Sequence, residues 1–530
     1  MIITTFSAPP MGPTATLVTI QFRMDRGLQA HISGIRGAAA KDLLVKLRQT
    51  FAEQKLRWPR GAMTWHLMPS APFDAQAGLD FGLALGLLAA SGIMPVERLR
   101  TVGSIGLIGL TGDVAAHPDW RRWVLEDEAI DEWLVPADWQ PEVLEVPPNV
   151  RLHPVRSLRE AIDHLKGLHV IAPVTFSERN KWSDGITAPG GVDFEDLEGE
   201  WDARLGLCLS IIGHHPTILI GGPGTGKSMC ARILHGLLPL MSPQEGHAVR
   251  KRHAARGIVH DALLVPPFRS PHTGSSAAGM FGHCPDSKNG LAHPVPGEVT
   301  LAHHGVLCLD EFTEFSRSVI EGLRTVLDQG QVAIARAHGA VRLPANPLLV
   351  ITSNPCACGH RFGPEIKRCR CTTAESRRYF QRIRGPVLDR LAIHIETGSG
   401  GQTCALTARD KGDLSSSAAA RLRIHAALDL KRSSARKSRP QIEPAALNLL
   451  ETAAKQYGWS LRAKGSVRQV AASHMWWRLV ADPGPECIRQ SDMEAATNLR
   501  IFDRSAWLDL YARKQNAGKR ASDISKQTQT

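Results

Sequence analysis

The chain has 530 residues, 43% hydrophobic and 22% charged, the balance of a globular protein with room for about three to four cores. Its longest uncharged apolar stretch, Phe81 to Val96, is broken by glycines and a proline and falls short of the roughly 18 residues of a membrane span. The opening MIITTFSAPP lacks the basic start and apolar run of a secretory signal, so a cytoplasmic protein with no membrane partner is the expectation. Lys and Arg total 63 against 51 Asp and Glu, a net +12 that suits a polyanionic partner, although a merely basic surface would look the same.

In chain order, residues 15–23 (ATLVTIQFR) and 62–68 (AMTWHLM) read as strands, the second with Met63, Trp65 and Leu67 alternating to one side. Between them, residues 37–54 read as a helix with Leu43, Leu47 and Phe51 on its apolar face, and a second helix runs from about Leu79 to Ser91. The stretch PADWQPEVLEVPPNVRLHP (136–154) reads as irregular. These elements make up a first domain over 1–170, which holds six of the chain's twelve tryptophans. Residues 171–200 read as a linker that ends in the acidic run Asp193 to Glu200. Apolar strands then alternate with helices over 201–400, the signature of a three-layer α/β domain. Residues 401–512 are mostly helical, interrupted by the basic loop KRSSARKSRP (431–440), and the polar tail 513–530 reads as disordered.

The chemistry begins at Thr217-Ile218-Leu219-Ile220, a β-branched run leading into Gly221, Gly222, Pro223, Gly224, Thr225, Gly226, Lys227 and Ser228, followed by the helical MCARILHGLL. Strand, G-x-x-x-x-G-K-S and helix in succession are the full context of a phosphate loop for ATP: backbone N–H groups and the helix N-terminus face the phosphates. Lys227 is placed to reach the β- and γ-phosphates and the Ser228 hydroxyl to ligate Mg²⁺. Downstream, Val306 to Leu309 is an apolar strand delivering Asp310 and Glu311 at its end. Asp310 suits the Mg²⁺ hydration shell, and Glu311 suits orienting and deprotonating an attacking water. A third strand, Leu348 to Thr352, runs out at Asn354, which could touch the γ-phosphate or simply make a turn. Residues 328–346 read as a β-hairpin, Val332/Ile334 against Val341/Leu343 around His338-Gly339, with Arg336 near the tip and Arg342 on the return strand. His303 and His304 read as local hydrogen-bonding residues.

Cys356, Cys358, Cys369 and Cys371 follow the pattern C-x-C-x10-C-x-C. Four thiolates at this density match a closed tetrahedral Zn²⁺ site, although the one-residue spacers are tighter than the usual two to four. His360 could replace one cysteine, and unpaired structural thiols or a redox pair are the alternatives.

The segments PFRSPHTGSSA (267–277), PGEVTLAHHGVLCLDEFTEF (296–315), NPCACG (354–359), RCRC (368–371) and GPVLDRLAIHIE (385–396) together resemble the ATPase core of ComM-type, magnesium-chelatase-like AAA+ proteins. DFEDLEG (193–199), FGLALGLLAASG and WSLRAKGSVRQVA extend the likeness in both directions. The resemblance implies an α/β protein with an N-terminal Lon-protease-like (S5-like) α+β domain, a P-loop AAA+ core and a helical lid; the cysteine pattern marks residues 354–372 of that core as a candidate zinc-binding insert. It implies sensor 1 at Asn354, an arginine finger at Arg390 reaching a neighbouring subunit, sensor 2 at Arg462, and a hairpin at a central pore. A homo-oligomeric ring, a hexamer by family analogy, follows from a finger that acts in trans. Where a protease of the Lon type carries its serine this chain has Asp80, and no lysine partner stands out after TGDV, so the first domain is expected to be non-proteolytic. The activity implied is ATP-driven remodelling of branched or single-stranded DNA. The alternatives are a chelatase-type motor acting on protein partners in tetrapyrrole metal insertion and a non-motor ATP-binding scaffold.

Overall fold

A computed structural model describes residues 2–503 apart from 9–13, 16, 28, 36, 69–77, 117–123, 126–129, 140–149, 175–190, 257, 259–263, 285–293, 337–338, 362–367, 384–386, 399–403 and 435–439. The tail 513–530, most of the linker and residues 435–439 of the basic loop therefore lie outside the described residues. The chain forms two compact units. One comprises Met1–Lys181 with Met241–Val265 and Cys284–Val295, and the other comprises Trp182–Leu240, Pro266–His283 and Pro296–Thr530.

The first unit is built on a mixed seven-stranded sheet in the order Arg151–Val155, Glu132–Pro136, Val102–Ser104, Ile2–Ser7, Val18–Asp25, Ala62–Met68, Ala30–Ser33. Ala62–Met68 buries Met63, Trp65 and Leu67 and exposes Thr64 and His66, as a two-residue side-chain period requires when one face meets a core. Trp65 packs on Phe22 with ring centroids 4.9 Å apart. Helix Gly37–Glu53 lays Leu43, Leu47 and Phe51 into the same core. Helix Asp80–Ala90 is buried from Asp80 to Ala89, which explains its continuous apolar sequence.

One expectation for this unit is corrected, and Asp80 has a partner from earlier in the chain than the TGDV segment. A lysine does face Asp80: Lys46, from the preceding helix, donates to its Oδ2 at 2.8 Å, beside the Ile108 N–H at 2.8 Å. Burial pushes the Asp80 carboxyl up, and Lys46 opposes the shift. The stretch 136–154 is also not irregular to its end, since Arg151–Val155 pairs in parallel with Glu132–Pro136. Pro154 is tolerated there because the strand is the outermost of the sheet, where one row of backbone N–H groups is not needed.

The second unit carries a fully parallel five-stranded sheet, in the order Phe268–Arg269, Val306–Leu309, Leu348–Ser353, Thr217–Gly221, Ile393–Thr397. Its three central strands are buried at every position, which is why they read as unbroken apolar runs without alternation. Helices Trp201–Gly213 and Lys227–Leu237 contribute to the same core. Thr217–Gly221 lies between the strands that come fourth and fifth in chain order, so the strand order switches there and leaves a crevice at the C-terminal edge.

The end of the segment read as a linker is part of this unit. Asp193 caps a short 3-10 turn at Phe194–Asp196, the Phe194 N–H donates to Ser417 Oγ at 3.0 Å, and Arg204 donates to the Leu197 carbonyl at 2.8 Å. Four helices, Ser417–Ser434, Pro444–Tyr457, Leu461–Ala481 and Gln490–Asn498, fill most of the C-terminal portion. The guanidinium of buried Arg423 stacks 3.9 Å from the Trp477 ring and pairs with Asp410 and Asp413, so this charge is fully partnered. Residues 431–434 of the basic loop remain in the first of these helices.

Candidate functional site

The phosphate loop leaves the sheet at Gly221 and re-enters a helix at Lys227. Gly224 and Gly226 hold φ of +76° and +83°, a left-handed backbone that a side chain would strain, and Gly226 is the cap from which the helix starts. The Lys227 ammonium donates to the carbonyls of Gly221 at 2.8 Å and Gly222 at 2.6 Å, so it arches over the loop it belongs to. Burial lowers the Lys227 ammonium below the ordinary lysine value, and the carboxylates of Asp310 and Glu311 oppose that shift.

Ser228 Oγ donates to Asp310 Oδ2 at 3.2 Å, which unites the two halves of the site read separately from the sequence. Thr352, which sequence reasoning passed over, ties them to the third strand: its hydroxyl donates to Asp310 Oδ1 and accepts the Glu311 N–H at 3.1 Å. Glu311 has φ of +49° and ψ of +50°. A non-glycine residue in that region costs about 1–3 kcal/mol and persists where its surroundings enforce it. Asn354 follows directly on Leu348–Ser353, the strand between those that deliver Asp310 and the phosphate loop. The loop geometry, the lysine and the Ser228–Asp310 pair fit a magnesium-bound nucleoside triphosphate.

Supports of the loop also come from distant segments. The Thr225 hydroxyl lies 2.8 Å from that of Thr397 and donates to the Gly222 carbonyl at 2.9 Å. A Cβ on Gly226 would stand 3.3 Å from Leu197, so the 193–199 segment lies against the loop. Thr397 could not be found by spacing, because 172 residues separate it from Thr225.

Arg390 and Arg462 are placed elsewhere. Arg390 is 8% exposed and makes a two-point pair with Asp328, Nε to Oδ1 at 2.7 Å and Nη2 to Oδ2. Arg462 Nη2 reaches Asp328 Oδ1 at 3.5 Å. The Arg390 hydrogen bond holds the Asp328 carboxyl below the usual carboxylate range, with burial opposing and the charges of Arg390, Arg462 and Arg324 adding to it. Ile393, just after Arg390, pairs with Thr217, whereas the phosphate loop departs at Gly221, paired with Thr397. The length of a five-residue strand, roughly 16 Å, therefore separates the arginines from the loop. Asp328 had no sequence signal of its own, being one acid on an amphipathic helix, Arg317–Gln329.

The hairpin forms as read: Gln331–Arg336 pairs antiparallel with Gly339–Pro344, Val332 opposite Leu343 and Ile334 opposite Val341. Arg336 stands opposite Gly339 at the end of the ladder, its side chain outside the described residues, and Arg342 is exposed. His303 Nδ1 accepts the Asn346 N–H at 3.0 Å, and its ring lies 3.9 Å from that of His304.

The four cysteines converge: their sulfurs all lie within 4.8 Å of one another. Individual separations are 3.3 Å for Cys356–Cys358, 3.6 Å for Cys358–Cys369 and 3.9 Å for Cys356–Cys369. Burial and the neighbouring Cys358 push the Cys356 thiol up to about 12. Burial also acts on Cys358, but the N–H groups of His360 and Arg370 outweigh it and bring that thiol down to about 6.

A parallel sheet with the phosphate loop at its switch point, two acids on the next strand but one and a polar strand end between them define a P-loop ATPase core of AAA+-like architecture. Residues 193–403 match the family described as magnesium chelatase, subunit ChlI. An uncharacterized protein of Mycobacterium tuberculosis is 32% identical over 74% of this chain and 76% of its own length. YifB of Escherichia coli is 29% identical over 73% and 74%, and competence protein ComM of Haemophilus influenzae is 27% identical over 77% and 79%. The chain belongs to the ComM/YifB-type, magnesium-chelatase-like family of AAA+ ATPases. Among the described residues no helix is long and apolar enough to cross a membrane.

Proposed function

We propose that the chain is one subunit of an ATP-hydrolysing ring, a hexamer by family analogy, that remodels branched or single-stranded DNA in the cytoplasm. The observation that carries the ring is the division of the machinery between the two ends of the parallel sheet. Lys227, Ser228, Asp310, Glu311 and Asn354 gather at the loop, while Arg390 and Arg462 sit together on Asp328 at the far end. An arginine side chain cannot span the strand between them, so both arginines serve a nucleotide held by a neighbouring copy. Arg462 then acts as sensor 2 beside the Arg390 finger and not on its own chain's loop.

Bound Mg²⁺-ATP supplies the transferable phosphoryl group and a metal charge that neutralises its oxygens. Lys227 leaves the Gly221 and Gly222 carbonyls for the phosphates, and Ser228 and Asp310 hold the metal side. The Glu311 carboxylate takes a proton from the attacking water, oriented with help from Asn354. The charge of an incoming phosphate competes with Asp328 for Arg390 and Arg462, which gives the finger a resting partner.

DNA as substrate is supported by the net charge of +12, by the Arg336/Arg342 hairpin as a pore element, and by the likeness to a competence protein. The first unit serves as a non-proteolytic, Lon-like collar, and residues 401–512 serve as the lid. The test is displacement of a labelled strand from forked and four-way-junction DNA with ATP, with Glu311→Gln protein as control. ATP-dependent displacement by wild type alone is the expected result. ATP hydrolysis that no DNA stimulates, with no displacement, would move the reading to a motor driven by protein partners.

A further inference from the structure

The geometry points to a four-thiolate Zn²⁺ centre on Cys356, Cys358, Cys369 and Cys371 that holds the phosphate loop in its nucleotide-binding shape through Gly359. This rests on reading residues 221–228 as the nucleotide loop.

The donor set comes first. A tetrahedron of Zn–S bonds near 2.3 Å has sulfur–sulfur edges of about 3.8 Å. The observed separations of 3.3, 3.6 and 3.9 Å lie around that value with no ion to set them. Packing does not account for the cluster, since three of the four thiols are only partly buried. The surrounding backbone is arranged as in a metal knuckle. The Gly359 N–H closes a tight turn on the Cys356 carbonyl at 3.0 Å. The N–H groups of His360 and Arg370 point at the Cys358 sulfur, and that of Cys358 points at Cys371. Outer-shell N–H donors of this kind fix thiolates about a metal. Arg361 donates to the Cys371 carbonyl at 3.0 Å and joins the two halves of the motif.

The connection to the nucleotide comes second. Gly359 has φ of +83°, and a Cβ there would fall 2.7 Å from Cδ and 2.9 Å from Cγ of Pro223. A Cβ on Gly222 would in turn fall 3.3 Å from the Gly359 carbonyl oxygen. The knuckle therefore rests directly on the two residues that open the phosphate loop, and one of them, Gly222, receives the Lys227 ammonium. The other side of the centre leads to Glu311. Cys371 runs into helix Thr373–Gln381, whose Tyr379 hydroxyl accepts a hydrogen bond from Thr313 Oγ1 at 2.7 Å, and Arg382 donates to the Thr313 carbonyl at 2.8 Å. A metal that fixes Cys356 to Cys371 thus clamps the loop and the segment following the catalytic acid together.

The test uses full-length protein purified under reducing conditions, with metal measured by mass spectrometry and ATP affinity by a fluorescent analogue. Wild type is expected to hold about one zinc per chain, replaceable by Co²⁺ with the absorption of a tetrathiolate site. The Cys369→Ser/Cys371→Ser double variant should lose the metal and bind ATP roughly 10- to 100-fold more weakly, the scale set by small misplacements in such sites. Gly359→Ala keeps every sulfur. It should retain the zinc yet show the same direction of change in ATP affinity, which a purely structural metal would not produce. Lys227→Ala should hold full zinc and bind no ATP. Wild-type protein that neither carries nor takes up Zn²⁺ or Co²⁺ would overturn the centre. Metal-free double variant or zinc-loaded Gly359→Ala with wild-type ATP affinity would overturn the coupling. Zinc-loaded wild type that binds no ATP would overturn the nucleotide reading and the coupling with it, and the metal site would stand.

Discussion

The two edges of the five-stranded sheet carry charge in opposite states. At the C-terminal edge Lys227 has, among the described residues, no acid within hydrogen-bonding distance and is satisfied by two carbonyls of its own loop, so its positive charge remains available to a phosphate. At the other edge, Arg390 is buried against Asp328, with Arg462 sharing the same carboxylate. A cation poised for an anion is held by neutral carbonyls, whereas a cation awaiting one from outside is held by a carboxylate that the newcomer must replace. In the proposed ring, the first edge binds within the chain and the second acts between chains.

The largest expected effect breaks the comparison at the far edge. Arg390→Ala should bind ATP normally but lower hydrolysis by about 10³-fold, the range for arginine fingers. In rings mixed with wild-type subunits, activity should fall more steeply than dilution. A strictly proportional fall would mean that Arg390 acts within its own chain. At the near edge, Glu311→Gln should retain ATP and Mg²⁺ while hydrolysis drops by roughly 10²-fold or more, since only the base is removed. Wild-type turnover in this variant, measured by phosphate release, would reassign the base.

Smaller effects sharpen the picture. Arg342→Ala should weaken DNA binding a few-fold irrespective of base sequence and reduce the salt slope of log K by about one contact, with basal hydrolysis unchanged. Salt titrations of fluorescence anisotropy would read this directly, and an unchanged slope would remove Arg342 from the DNA path. The smallest effect concerns acid. Asp328 has its folded value depressed, so its contribution to stability is present above the ordinary aspartate value and is lost as pH falls through the lower folded one. Wild type should therefore lose stability below about pH 4 along a steeper curve than Asp328→Asn. Parallel curves in denaturant titrations would show that the ion pair contributes nothing measurable, as many half-exposed pairs do.

What the sequence determined by itself was everything that depends on neighbours along the chain. The strand Thr217–Gly221, the loop to Ser228 and the helix after it are contiguous, so composition and order sufficed to read them. The hairpin of 331–344 was legible for the same reason: Val332, Ile334, Val341 and Leu343 alternate about a short turn. The cysteine pattern pointed to the convergence of four sulfurs, because C-x-C repeated at close range keeps the thiols near one another along the chain. Where local signals conflict, the reading failed. Pro154 suggests a break, yet Arg151–Val155 is a strand, because an edge position removes the cost of the missing N–H. Tertiary structure alone decided which distant groups meet. Lys46 on Asp80, Thr352 between Asp310 and Glu311, Leu197 under Gly226, Gly359 on Pro223 and the shared Asp328 are all products of strand order and helix packing. A side chain that acts through such contacts carries no spacing of its own, since its partner is selected by which strands are adjacent and not by distance along the chain.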